Sequence, residues 1–150
     1  MPAMSDTPSD TAANRHIVAS FWDDLYSKRF DQLPTYFAPD AHYTDKGARE
    51  GATGPTEIVR QLELGMGPTE KMVHHVLNVL AEGNIVITEH QEDWHFGDGV
   101  VVEHPFCSVH ELRDGKVVRW WDYSHLNNLV DNAPKWWLEH IMSGGTPAPE

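Results

Sequence analysis

Apolar residues recur along this chain in two rhythms. From Asn14 the spacing is helical: Ile17, Phe21 and Leu25 fall on one face, with Val18 and Trp22 beside it. A second short helix is predicted at "DQLPTYFAPD", where Asp31 can cap, Pro34 sits in the first turn and Pro39 ends the run. "AHYTDKG" reads as a short strand closed by Gly47. "TGPTEIVRQLELGMGP" begins like a third helix, with Pro55 near its first turn. Its residues Ile58, Val59 and Leu62 face inward, and Gly65, Gly67 and Pro68 end it.

Beyond Lys71 the period shortens to two. "KMVHHVLNVLAEG", "NIVITEHQEDWHFGDG", "VVVEHPFCSVHELRDG" and "KVVRWWDYSH" read as four long strands. The links between them, Glu82-Gly83-Asn84, Gly97-Asp98-Gly99 and Arg113-Asp114-Gly115, carry turn residues, so the strands form an antiparallel meander. "APKWWLEHIM" adds a last helix before a Gly/Pro tail. Helices first and one meandering sheet afterwards define an α+β fold. The expected architecture is a curved antiparallel β-sheet wrapped by N-terminal helices into a cone, an α+β barrel with an internal pocket. The organisation expected is a loose leader over 1–13, one cone domain over 14–142 and a tail over 143–150.

Composition narrows the function. A formal charge of -12 argues against nucleic acid and against anionic membrane surfaces. The sequence contains no apolar run of membrane length and no signal-peptide pattern, and its single cysteine, Cys107, permits no internal disulfide; a reducing cytoplasm is the expected location. Ten histidines in 150 residues are many, and histidine is the usual acid–base side chain near neutrality.

Strand alternation sorts the candidate chemistry. One face of the second long strand carries Val86, Thr88, His90, Glu92 and Trp94. The third carries Val102, His104, Phe106, Ser108 and His110, and the fourth Val118, Trp120, Asp122 and Ser124. If these faces meet the helices, two carboxylates and two imidazoles share an apolar chamber that can shift their pKa values and create an acid and a base. Any one of them alone reads more simply as a satisfied structural group; the clustering on adjacent strands is what points to a site.

"TEHQEDW", the turn "RDGKV" and the aromatic strand ending in "WDY", set behind three helices, are similar to the SnoaL-like branch of the nuclear transport factor 2-like superfamily. Within it the resemblance is greatest to limonene-1,2-epoxide hydrolase-type proteins, over about residues 14 to 130. In those proteins a last-strand aspartate works with an arginine and a second aspartate, and a Tyr-x-Asn pair holds the attacking water. The resemblance places the last-strand aspartate at Asp122 and the tyrosine at Tyr43. It finds Asp45 at the asparagine position, His90 at the arginine and Glu92 at the second aspartate. Imidazole cannot make the five-donor fork of a guanidinium, and Glu adds a methylene, so the layout is kept while the chemistry is altered. The set His90, His104 and Asp122 instead resembles the acid–base sets of superfamily dehydratases, isomerases, cyclases and deformylating lyases, which work without cofactor.

The leading expectation is therefore a cofactor-free lyase. Asp122 or His90 would take a proton, and His104 or Tyr43 would assist the departing oxygen. Trp94, Phe106, Trp120 and Ser108 would contact a small apolar, aromatic, hydroxylated substrate. Epoxide hydrolysis is the alternative, with Asp122 and Tyr43 activating water. A non-catalytic binding module, with an apolar or collapsed pocket, is the third. His90, His104 and Glu92 could also supply metal ligands, but no close-spaced ligand motif supports this and no metal is expected. The outer face, with Ile87, Val109, Trp121 and Tyr123, is apolar enough to predict a homodimer.

Overall fold

A computed structural model describes residues 8–47 and 50–145. Helix α1 spans Pro8–Tyr26, a 3-10 helix Phe30–Tyr36, strand β1 Phe37–Asp45, β2 Ala52–Thr53 and helix α2 Pro55–Met66. Strands β3 (Lys71–Glu82), β4 (Ile85–Gly97), β5 (Val100–Arg113) and β6 (Lys116–Ser124) follow, then α3 (Leu126–Asn132) and α4 (Lys135–Met142).

The α+β expectation holds. One six-stranded sheet runs in the order β2-β1-β6-β5-β4-β3. The meander forms as expected, and the Asp114-Gly115 link adopts positive φ at both residues, 51° and 76°, as a tight hairpin of matching twist requires. The sheet is open, not closed into a barrel. It is also not wholly antiparallel, because β1 lies parallel to β6 and sets Tyr43 beside Trp120 and Asp45 beside Asp122.

Val18, Phe21, Trp22 and Leu25 of α1 are buried against the concave face, their spacing of three and four making one apolar stripe. Each such side chain contributes about 1.5–3 kcal/mol by leaving water. Ile58, Val59 and Leu62 of α2 are buried as the pattern predicts.

Several boundaries differ from the sequence reading. Helix α1 begins at Pro8, so the expected leader is helical over 8–13; residues 1–7 lie outside the described residues, as do 146–150 of the tail. Asp10, Ala12 and Ala13 are exposed, so this first stretch has no apolar stripe to betray it. It is held instead by polar contacts: the Gly83 backbone N–H donates to Thr11 Oγ1 at 2.9 Å, and Asn14 Nδ2 donates to the Gly83 carbonyl at 2.9 Å. The second helix is a 3-10 turn, and Pro39 lies inside β1. The β1–β6 register shifts between Phe37 and His42, and that irregularity tolerates a residue with no N–H to donate. Helix α3 was not anticipated.

On β6 the inward residue is Val117, 1% exposed, not Val118. A register shift against β5 pairs Leu112 with Val117 and Glu111 with Arg119, leaving Val118 as the extra residue of a bulge. The outer apolar face also differs in detail. Ile87 and Tyr123 are exposed as expected, joined by Leu80 and Val101. Trp121 is instead covered by Lys46 at 3.5 Å and Arg119 at 4.4 Å from its ring, and Val109 is half-buried.

Candidate active site

Helices and sheet leave a cavity of about 220 Å³ on the concave side. Strands β1, β4, β5 and β6 bring Tyr43, Asp45, Glu92, Trp94, His104, Phe106, Trp120 and Asp122 to its wall. Tyr26 of α1, Gln61 and Met66 of α2 and Trp137 of α4 close it from the other side. Trp137 Nε1 donates to the Gly65 carbonyl at 2.8 Å, which fixes α4 onto α2.

Asp122 is 5% exposed and fully engaged on one oxygen. Its Oδ1 accepts from Ser108 Oγ at 2.5 Å and from Trp120 Nε1 at 2.6 Å. Its Oδ2 receives only a long contact from the Tyr43 hydroxyl, 3.3 Å. Burial pushes this carboxyl up to about 8, despite the lowering effect of the Ser108 bond, and Glu92 nearby adds to the rise. With two donors on Oδ1, an acidic proton belongs on Oδ2.

Glu92 is built by the same logic. Tyr26 Oη donates to its Oε2 at 2.6 Å and Trp94 Nε1 to its Oε1 at 2.9 Å. Burial raises it to about 7, and the two bonds hold it from rising further. Of the carboxyls that line the cavity, Glu92 and Asp122 are thus both pushed up toward neutrality, and each is oriented by an indole. Burial also raises the Tyr26 and Tyr43 phenols, with Glu92 adding to the first and Asp122 to the second.

His90 and Ser108 do not line the cavity; they form a layer behind it. Both are 0% exposed. Because Ser108 donates to Asp122, its oxygen accepts from His90 Nε2–H at 2.9 Å, and His90 Nδ1 then accepts from His74 Nε2–H at 2.7 Å. The His90 ring stacks on Phe106 with centroids 3.7 Å apart and lies 4.7 Å from that of Trp22. Burial drives its pKa down to about 2 and that of His74 to about 4. His90, expected to face the substrate, is a neutral link that reaches Asp122 only through Ser108. Ser108, expected to contact substrate, sits under Asp122.

His104 does line the cavity, directly across from Glu92 in the β4–β5 register. Its Nδ1 is buried without a partner, and burial lowers its pKa against a raising influence from Asp45. Asp45 is fixed by the Ser124 hydroxyl at 2.8 Å and the Gly47 N–H at 2.9 Å. Trp94, Phe106 and Trp120 line the cavity as expected. Among the described residues no group of three or more His, Cys, Asp or Glu side chains is placed to hold a metal ion. His90, Glu92 and His104 therefore do not assemble as a ligand set.

Tyr26, Gln61 and Trp137 were missed. Tyr26 ends α1 and Trp137 begins a helix on the far side of the chain. The one available signal for Tyr26 was its spacing of four from Trp22, on the face turned to the sheet.

An open, curved sheet with helices across its concave side and a largely apolar cavity edged by carboxyls is the cone of the nuclear transport factor 2-like fold. Residues 18–120 match the SnoaL-like domain family, and the chain belongs to that family. No curated protein matches its sequence. Among solved structures it is similar to an LEH-like epoxide hydrolase from M. tuberculosis, with 21% identity over 89% of this chain and 95% of that one and a TM-score of 0.70. It is also similar to a protein from Jannaschia Sp. CCS1 designated a SnoaL-like polyketide cyclase, with 17% identity over 87% and 99% and a TM-score of 0.74. A third is Bal32a from a soil-derived mobile gene cassette, with 20% identity over 82% and 96% and a TM-score of 0.70. At these identities the likeness is one of fold.

Proposed function

We propose that this protein is an acid–base lyase whose own side chains perform the chemistry on a small apolar, aromatic, hydroxylated substrate, by elimination or deformylation. The observation that carries this reading is the pairing of Glu92 and Asp122 in one cavity, both pushed toward neutrality by burial. Such a pair supplies one ionised and one protonated carboxyl at the same pH. Glu92, which ionises first, takes the proton from a C–H or O–H bond. The electron pair released forms the new double bond as the C–O or C–C bond breaks. For an elimination, Asp122 delivers its Oδ2 proton to the leaving oxygen, and water departs; for a C–C cleavage, it delivers that proton to the carbon that keeps the bonding pair. His104 and Tyr43 flank the developing charge, and Trp94, Phe106 and Trp120 hold the apolar body.

Epoxide hydrolysis is the second reading, favoured by the Tyr43 hydroxyl against Asp122 Oδ2. A water between them would attack one carbon while a carboxylic acid protonated the epoxide oxygen. A collapsed or wholly apolar pocket would have supported a binding module, and the carboxyl-lined cavity argues against it.

The test is turnover of two panels in ¹⁸O-labelled water, aromatic β-hydroxy carbonyl compounds and small epoxides, with Asp122→Asn as control. The lyase reading expects loss of water or a formyl group with no label in the organic product. The hydrolase reading expects one labelled oxygen in a diol. Turnover of neither panel above the Asp122→Asn control would sink both.

We also infer that the outer face pairs with a second copy of the chain. Leu80, Ile87, Val101 and Tyr123 stand between 38% and 70% exposed there.

A further inference from the structure

Asp122 is the inner end of a hydrogen-bonded chain whose outer end stands at a second cavity. That cavity, of about 160 Å³, lies between α1 and strands β3 and β4 and shares no lining residue with the first. Arg15 and Asp23 of α1, both exposed, form part of its wall, and so does His74 of β3. The ring of His74 stacks on Tyr26 with centroids 4.0 Å apart, and Trp22 flanks it at 5.5 Å. From there the chain runs inward. His74 Nε2 meets His90 Nδ1 at 2.7 Å, His90 Nε2 meets Ser108 Oγ at 2.9 Å, and Ser108 Oγ meets Asp122 Oδ1 at 2.5 Å.

Each member of this series can pass a proton. Imidazole and hydroxyl groups both accept and donate, so a proton taken on one atom frees one from another. The donors all point the same way, toward Asp122. With Nε2 turned to His90, His74 Nδ1 has no partner among the described residues. It is not among the fully buried unpaired nitrogens either, so it meets solvent. His110 makes the contrast: it is as buried as His90, yet both its ring nitrogens are unpartnered. Burial of a histidine in this core does not by itself assemble such a chain.

We propose that His74, His90 and Ser108 conduct protons between the second cavity and Asp122. The inference rests on the reading of Asp122 as the acid of the site; the three residues act through it and never touch substrate. As Asp122 gives its Oδ2 proton to the leaving group, its Oδ1 takes the Ser108 proton. Ser108 takes the proton of His90 Nε2, His90 Nδ1 takes that of His74 Nε2, and His74 Nδ1 takes one from solvent. One proton enters as one is given up, so Asp122 donates without becoming a buried anion, a costly species. After product departs, the proton held by Glu92 returns through cavity water to Asp122 Oδ2. The chain then runs backward, and a proton leaves at His74 Nδ1 with every tautomer restored.

Proton exchange at His90 tests the chain without any substrate. In the full-length protein carrying ¹⁵N-histidine, nuclear magnetic resonance gives the rate at which the His90 Nε2–H proton exchanges with water. In His74→Gln the amide still donates to His90 Nδ1 but cannot take up a proton and hand it on. Exchange is expected to slow at least about tenfold, whereas a merely structural contact predicts equal or faster exchange, because loosened packing opens more often. Should this variant not fold, His74→Phe, which keeps a ring against Tyr26, replaces it. Equal or faster exchange overturns the proposal. With whichever panel the wild type turns over, His74→Gln is expected to lower kcat about tenfold while KM stays within about twofold. Slowed exchange with kcat unchanged also overturns the proposal, because the conducted proton then does not serve the acid. Absence of turnover by the wild type removes the acid–base reading instead, while the exchange rate alone still decides whether the chain conducts.

Discussion

The Ser108 hydroxyl donates to Asp122 Oδ1 across 2.5 Å while its oxygen receives the N–H of His90 at 2.9 Å, so one serine connects a cavity carboxyl to a buried imidazole. Ser108→Ala removes a donor that favours the ionised carboxylate and leaves His90 Nε2–H unpaired. Stability should fall by about 1–3 kcal/mol. The Asp122 pKa should rise above its present value near 8, because the lost bond lowers it. Denaturant unfolding reads the first effect and infrared titration the second. An unchanged carboxyl titration would show that the serine does not tune Asp122.

Asp122→Asn separates catalysis from stability. The amide oxygen can still accept from Ser108 and Trp120, so the shape persists. Folded Asp122 holds its proton to about pH 8, whereas the unfolded carboxyl releases it near its ordinary 3.8. Between those values the folded state binds more protons, so the wild type loses stability as pH rises from about 4 to about 8. The variant lacks this loss. Its melting temperature should match the wild type near pH 4 and exceed it by several degrees near pH 8. Activity should fall about 10²-fold or more. A destabilised variant with normal turnover would return Asp122 to a purely structural role.

Activity should rise with pH as Glu92 ionises near 7 and fall as Asp122 loses its proton near 8. The two limbs belong to the pair as a coupled system. Tyr26→Phe removes the 2.6 Å bond that lowers Glu92, so the acidic limb should move to higher pH. Glu92→Gln should remove about 10²- to 10⁴-fold of the rate. A pH–rate profile for each variant checks both, and an acidic limb unmoved in Tyr26→Phe would assign that limb to another group.

Dialysis against a chelator should leave turnover unchanged, since among the described residues no three suitable ligands converge. Loss of activity restored by one divalent metal would reverse that expectation.

Light scattering at micromolar concentration should give a dimer. Leu80→Lys combined with Ile87→Lys should give a folded monomer, by placing charge on the outer face. A monomeric wild type would remove the argument.

The meander was legible because Asn, Asp and Gly marked each turn and the alternation between them was long. That alternation put Glu92, His104 and Asp122 on the concave side correctly. It did not separate the cavity wall from the layer behind it: His90 and Ser108 share the facing direction of Glu92 and Asp122, yet His90 lies against Trp22 and Phe106 and Ser108 sits between His90 and Asp122. Facing direction is a property of strand period, whereas depth depends on which helix covers which stretch of sheet. The Val118 error came from a one-residue bulge that period counting does not register. Tyr26 and Trp137 escaped because helices reach the cavity through tertiary docking, which no local pattern records.

The parallel pairing of β1 with β6 also sets an order of events during synthesis. Tyr43 and Asp122 lie 79 residues apart in the chain, and the strand that carries Asp122 is the last of the sheet to leave the ribosome. The hairpins of β3, β4 and β5 can close on local contacts, but β1 must wait with one edge unpaired until β6 arrives. Long-range pairing of this kind is the slow step in folding, because the loop must close before any contact rewards it. A chain that stops short of β6 therefore leaves that edge of β1 unpaired, and lacks Trp120, Asp122 and the pairing that sets Tyr43 and Asp45 beside them.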